Sequence, residues 1–272
     1  MLVAEPLAQG WKAELALAFE RRGDRTVLAS RRHDGPLVVQ KPLYPEGDAV
    51  CHAIVVHPPA GIAGGDELRI AADAGPGAAA LLTTPGAGKW YRTAGAWASQ
   101  RLAFRVADGA ALEWLPQETI VFDGARADVG LDVELSGNAL FLGWDIVCLG
   151  RTGSGERFAR GSYRTSASIR RDGRLLWFER GSVDGGGALL ASAVGLRGHS
   201  VCGTFVAAGR PVDLAVARQV EGIAVTQLPG VMVARCLGDS SEGVRRGFAR
   251  LWALLRPALA GREAHAPRIW ST

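Results

Sequence analysis

Hydrophobic and polar positions alternate over short stretches of this chain, and glycine, proline or aspartate breaks the alternation about every ten residues. In residues 100–106 the apolar side chains Leu102, Phe104 and Val106 fall on one face of a period-two element. Asp108-Gly109 then turns the chain into a second predicted strand, 110–115. Arg171-Asp172-Gly173-Arg174 stands between two strand-like runs, 165–169 and 175–179, and its Asp-Gly pair predicts a hairpin. The same reading predicts strands at 37–41, 50–56, 67–71, 79–83, 119–122, 129–135, 144–149, 200–206 and 223–235. Strands do not alternate with amphipathic helices, so the pattern predicts an all-β dominated fold rather than a wound α/β sheet.

Two segments depart from this rhythm. Residues 211–220 open on Pro211, which suits a first helical turn. Residues 240–256 predict a longer helix, with Asp239 as its cap, Glu242 three residues on, and Pro257 as its stop. Val244, Phe248, Leu251 and Leu255 share one face of it, with Arg246 and Arg250 opposite. Such a stripe packs a helix on its own core or offers a docking face. No internal repeat, linker or composition break appears, so residues 1–272 read as one domain.

A chain of 272 residues can bury a sizeable core. The first twenty residues carry Glu5, Lys12 and Glu14 and no long apolar run, which predicts no secretory signal. The most apolar later stretch, 188–196, falls short of the ~20 residues that span a bilayer, so a cytoplasmic location is expected. Cys51, Cys148, Cys202 and Cys236 are scattered with no C-x-x-C pair, which argues against a zinc knuckle or a disulfide framework and for free core thiols. The net charge of +4 is mild, and no basic run is interleaved with aromatics, which disfavours nucleic acid. Dispersed arginine suits protein interfaces.

Candidate chemistry narrows further on inspection. Gly86-Ala87-Gly88-Lys89 suggests a phosphate-binding loop, yet Thr83 stands where the first glycine belongs and Trp90 where the magnesium-holding hydroxyl belongs. No G-x-G-x-x-G occurs, and Gly153-Ser154-Gly155 lacks the spacing of a nucleophile elbow. His52 and His57, five apart on a predicted strand, point to opposite faces, so they do not form a paired metal site. Glu113, Asp145 and Glu179 sit in strands that are apolar on both faces, which turns these acids into the protein. A buried charge costs several kcal/mol unless paired. Arginine partners such as Arg180 or Arg151 are one solution, and a hydrated path for a divalent cation is the other.

In order along the chain, several phrases resemble the urease accessory family UreD, also called UreH. They are Lys41-Pro42-Leu43-Tyr44-Pro45-Glu46-Gly47, His57-Pro58-Pro59-Ala60-Gly61-Ile62-Ala63-Gly64-Gly65-Asp66-Glu67-Leu68, Thr83-Thr84-Pro85-Gly86-Ala87-Gly88-Lys89-Trp90-Tyr91-Arg92 and Leu112-Glu113-Trp114-Leu115-Pro116-Gln117-Glu118-Thr119-Ile120-Val121-Phe122. Gly143-Trp144-Asp145, Leu149-Gly150-Arg151, Gly155-Glu156-Arg157-Phe158 and Pro267-Arg268-Ile269-Trp270 complete the series. Two departures stand out: Ala87-Gly88-Lys89-Trp90 where the family often has Ala-Thr-Lys-Phe, and Asp145 where it commonly has Glu.

The resemblance implies a β-helix-like, two-layer β-rich fold with two helices in the C-terminal third. It implies binding to apo-urease and UreF, with the GTPase UreG recruited through UreF, in a non-catalytic scaffold that assists nickel delivery. No cofactor is expected to bind stably. Nickel accepts carboxylate and imidazole ligands, and a carrier needs weak, partly hydrated sites that do not trap it. Asp66, Glu67, Asp145 and Glu179 are the expected contacts of a transient nickel path. Two competing readings remain: a β-helical enzyme with two carboxylates about 5–9.5 Å apart in one cleft, and an interaction module with no metal role.

Overall fold

The computed structural model describes residues 10–271, so Glu5 and the rest of residues 1–9, which bear on the signal-peptide reading, lie outside it. Two sheets face each other across a hydrophobic core. The first has seven strands in the spatial order Arg174–Asp184, Ser162–Arg171, Arg126–Leu135, Ala98–Val106, Glu67–Ala74, Lys12–Arg22, Arg25–Asp34. The main path of the second runs Ile223–Leu228, Val231–Gly238, Val201–Ala208, Leu140–Leu149, Ala111–Trp114, Ala79–Thr83, Cys51–Val56, Val38–Val39. The predicted hairpin at Asp172-Gly173 forms, with Arg171 opposite Arg174. Lys12–Arg22 and Arg25–Asp34 form a further hairpin beyond the predicted strands.

The chain winds as a β-solenoid, because each crossover between parallel strands of one sheet is a strand of the other. Glu67–Ala74 leads to Ala79–Thr83, Ala98–Val106 to Ala111–Trp114, and Arg126–Leu135 to Leu140–Leu149. The long strands pair in parallel register, Ile70 beside Leu102 and Leu102 beside Leu131. The connecting turns coincide in space as well as in form. Ala78, Ala110 and Ala139 each donate a backbone N–H three residues back, to Gly75, Ala107 and Ser136, and each is buried. The residues two before the second-sheet strand, Gly77, Gly109 and Gly137 with its one-residue offset, hold φ of 67°, 67° and 51°, a region that excludes most side chains. A structural repeat is therefore present where the sequence displays none, since only these turns and the in–out alternation are shared. Antiparallel hairpins close the first sheet at both ends.

The inward faces of both sheets form one apolar cluster that includes Leu15, Phe19, Ile70, Phe104, Leu112 and Phe141. A second cluster lies on the other side of the second sheet, where Leu142, Ile146, Phe205 and Met232 receive Val244, Phe248, Leu251 and Leu255. Those four come from the long helix, Ser241–Ala260, so its apolar stripe covers the molecule's own core. Its cap is Ser240, whose hydroxyl accepts the Gly243 N–H, rather than Asp239. The helix also runs through Pro257 to Ala260 and ends on Gly261. Proline removes one N–H, and the carbonyl it would have served belongs to exposed Ala253, where water can take its place. The helix expected at 211–220 shrinks to Leu214–Ala217, capped by Asp213. No helix among the described residues is long and apolar enough to cross a membrane.

Candidate functional site

A cavity of about 990 Å³ lies between the sheets and crosses them transverse to the strands. Its lining runs from Val55, Val56 and His57 at one flank of the second sheet to Arg235, Cys236 and Leu237 at the other. Strand alternation decides what it meets. On Leu140–Leu149, Trp144 and Ile146 turn to the helix while Asp145 and Val147 turn inward. On the neighbouring strands, Cys202, Thr204 and Arg235 take the inward positions. From the first sheet come Tyr163, Trp177 and Glu179. Asp145 and Glu179 therefore reach one cavity from opposite sheets.

Their settings differ. The Tyr163 hydroxyl donates to Asp145 Oδ2 at 3.2 Å, and no cation pairs with this carboxylate among the described contacts. Burial, helped by the Glu179 charge and opposed by hydrogen bonds from Tyr163 and the Ile146 N–H, pushes the Asp145 carboxyl up to about 6. The same enclosure drives Tyr163 well above its ordinary value, and Cys202 up to about 12, with the Asp145 charge adding to both. Glu179 is held by Arg235, whose Nη1 donates to Oε1 at 2.9 Å and whose Nη2 contacts Oε2. That partner replaces the Arg180 expected from sequence. Arg235 Nη1 also donates to the Thr204 hydroxyl at 3.2 Å.

The other two acids proposed from sequence lie outside this lining. Asp66 accepts backbone N–H groups from Trp11 and Ala63, both at 2.8 Å, and so ties the chain before Lys12–Arg22 to a turn. Glu67 begins a strand on the outer face, 4.0 Å from Lys12 Nζ. Asp66 does influence the cavity at one remove, because its charge acts on His57, whose imidazole is otherwise lowered by burial. Glu118 and Lys89 also line the cavity. Among the described residues, no three His, Cys, Asp or Glu side chains converge closely enough to hold a metal ion. Lys89 belongs to the strand Gly88–Trp90 rather than to a helix start, so the loop offers no P-loop cradle. All four cysteines are free thiols.

Glu113 faces away from the cavity and builds a different centre. Arg256, fully buried on the long helix, spends all five guanidinium N–H donors there. Its Nε and Nη2 reach Glu113 Oε1 at 3.0 and 2.8 Å; Nη1 and Nη2 reach Glu46 at 2.6 and 2.8 Å; and Nη1 also reaches the Glu263 carbonyl at 2.5 Å. Trp252 Nε1 donates to Glu113 at 2.6 Å, and His52 Nε2 lies 2.6 Å from Glu46. Burial alone would raise the Glu46 carboxyl, but hydrogen bonds from His52 and Arg256 hold it at about 2. Sequence placed neither Arg256 nor Glu46 in this centre, and named Arg180 or Arg151 instead. Arg151 in fact pairs with Glu156 at 2.8 Å.

A family model described as UreD urease accessory protein matches residues 12–271, nearly the whole described chain. The chain belongs to the UreD family. The urease accessory protein UreD of Azoarcus sp. (strain BH72) is 59% identical over 271 residues, covering 97% of this chain and 95% of that protein. That of Dechloromonas aromatica (strain RCB) is 53% identical, with 96% and 95% coverage. That of Pseudomonas aeruginosa (strain PAO1) is 51% identical, with the same coverage. The two centres are separate: the Arg256 network fastens helix to sheet, and the inter-sheet cavity holds Asp145, Tyr163 and Cys202 in an enclosed setting with Glu179 and Arg235 at its flank.

Proposed function

We propose that this UreD family member is a non-catalytic, cytoplasmic maturation factor that binds apo-urease and UreF, through which UreG joins, and that its inter-sheet cavity carries nickel in transit. The observation that carries this reading is the approach of Asp145 and Glu179 from opposite sheets into one cavity. A hard-to-borderline cation finds oxygen there without a closed set of ligands, which is what a carrier that must release its cargo requires. His57 and Glu118 supply further donors along the same lining. Asp66, outside the lining, takes a supporting part by holding a turn and acting on His57 through its charge, while Glu67 stays on the outer face beside Lys12. The enzyme alternative needs two carboxylates in acid and base roles, and Glu179 is engaged by Arg235 instead.

Co-expression with urease subunits and the other accessory proteins tests the reading. Asp145→Asn with Glu179→Gln should leave the assembly intact in pull-downs and lower nickel per urease active site. An intact assembly with full nickel content would end the proposal.

A further inference from the structure

Of the two cavity acids, one is already occupied by a cation that belongs to the protein. Glu179 lies on the edge strand of the first sheet, Arg174–Asp184, and Arg235 lies on the penultimate strand of the second, Val231–Gly238. Their ion pair therefore crosses from sheet to sheet at the flank of the cavity, while Asp145 stands further in. The pair is partly open to solvent, with side-chain exposures of 49% for Arg235 and 28% for Glu179. Two consequences follow. An ion pair this exposed contributes little to the fold, so its presence is poorly explained by stability alone. A guanidinium on a strand also has a long, flexible stem, and Thr204 gives it a second acceptor in the same place.

We propose that Arg235 is a positioning residue that gates the cavity by acting as a stand-in cation on Glu179. This rests on the reading of the cavity as a metal path. With no metal bound, the guanidinium neutralises Glu179 and spans the gap between the two sheet edges. An incoming divalent cation displaces it from the carboxylate, and Arg235 retains its bond to Thr204. When the cation leaves, the guanidinium returns and completes its release. The device keeps the path from becoming a trap, because every metal contact at Glu179 competes with a tethered charge. No covalent step is involved; one cation exchanges for another on the same two oxygens.

The test uses Arg235→Gln, which removes the charge and keeps a polar side chain, and Arg235→Lys, which keeps the charge. Each is purified in its complex with the other accessory proteins, and Ni²⁺ binding is measured by equilibrium dialysis beside nickel content per urease active site. Arg235→Gln should retain Ni²⁺ about fivefold more tightly, the factor that corresponds to losing a competitor of about 1 kcal/mol. It should also pass less nickel to urease. Arg235→Lys should stay near the parent in both. Asp145→Asn separates the two levels of the reading. If Asp145→Asn lowers transfer while Arg235→Gln matches the parent or binds Ni²⁺ more weakly, the gate is wrong and the path stands. If neither variant changes binding or transfer, both are wrong. Should Arg235→Gln fail to assemble, Arg235→Met, which also removes the charge and leaves Glu179 in place, serves instead: the gate requires tighter Ni²⁺ retention, and an affinity at or below the parent's refutes it.

Discussion

Replacing Arg256 by methionine keeps most of the side-chain volume and removes every donor to Glu113, Glu46 and the Glu263 carbonyl. Both carboxylates are then left in a site where their side chains are only 4% and 8% exposed. Breaking a buried ionic network by removing one partner costs about 3–5 kcal/mol, because the remaining charge is neither hydrated nor paired. For a chain of this size each kcal/mol lowers the melting temperature by about 2–4 °C, so Arg256→Met should melt roughly 6–20 °C lower. Adding Glu46→Gln and Glu113→Gln removes the stranded charges and should recover at least half of the loss. The pH response supplies a second signature. In the parent, Glu46 is lowered from 4.5 to about 2, so its contribution is complete above pH 4.5 and disappears as pH falls toward 2. In Arg256→Met the guanidinium no longer offsets the burial that raises the Glu46 carboxyl, so the variant should gain stability relative to the parent as pH falls from 7 to 5. Urea denaturation of parent, single and triple variants at pH 7 and 5 measures all of this. A single variant within 1 kcal/mol of the parent, or a triple variant no better than the single, refutes the reasoning.

Asp145 works in the opposite sense. Its carboxyl is raised from 3.8 to about 6, so its favourable contribution is present below pH 3.8 and lost as pH rises through 6. Asp145→Asn should thus stabilise the protein by up to about 3 kcal/mol at pH 7.5 and have little effect near pH 3.5, as read by chemical denaturation; destabilisation at pH 7.5 would contradict this. Gly203→Ala should destabilise by about 1–3 kcal/mol, because a Cβ there would sit 2.6 Å from the Phe248 ring and 2.7 Å from Val244 and push the long helix off the sheet; an unchanged melting temperature would show that the helix yields freely. Cys202, raised to about 12 by burial and the Asp145 charge, should alkylate far more slowly at pH 8 in the native protein than in urea, and faster in Asp145→Asn than in the parent. Equal native and denatured rates would place that thiol in solvent.

What was legible in the sequence was local. Leu102, Phe104 and Val106 reveal their strand by period two, and Asp172-Gly173 reveals its hairpin, because both signals lie within ten residues. The family resemblance added the coiled two-layer architecture, which periodicity could not. Two things were hidden for physical reasons. Lys12–Arg22 buries Ala13, Leu15, Leu17 and Phe19, but Ala16 and Ala18 hold the positions between them, so Leu15 to Phe19 reads as a continuous apolar run without the polar alternation that marks a half-buried strand. The partners of Glu113 and Glu179 were misassigned because ion pairs between sheets and helices join residues far apart in the chain. Nearby Arg180 pairs across the hairpin with Ser166, whereas Arg235 is 56 residues from Glu179. Runs that are apolar on both faces pointed Asp145 and Glu179 inward, and both line the cavity, although Glu179, on an edge strand, keeps 28% of its side chain exposed. That pattern could not say that Asp66 would spend its oxygens on two backbone amides.

The distance between Glu46 and Arg256 also has a meaning in time. They are 210 residues apart, and a ribosome adding about 5–20 residues per second delivers the second roughly 10–40 s after the first. The solenoid can wind coil by coil during that interval, since each parallel strand meets a neighbour already made. The outer face of the second sheet cannot be covered until the last helix arrives. Leu142, Ile146 and Phe205 therefore stand open to other nascent chains while Glu46 waits for its guanidinium. Truncation or stalling before Ser241–Ala260 is made leaves a wound but unsealed molecule, so the aggregation hazard is greatest once the coils are wound and before this helix seats, rather than while the first coils form.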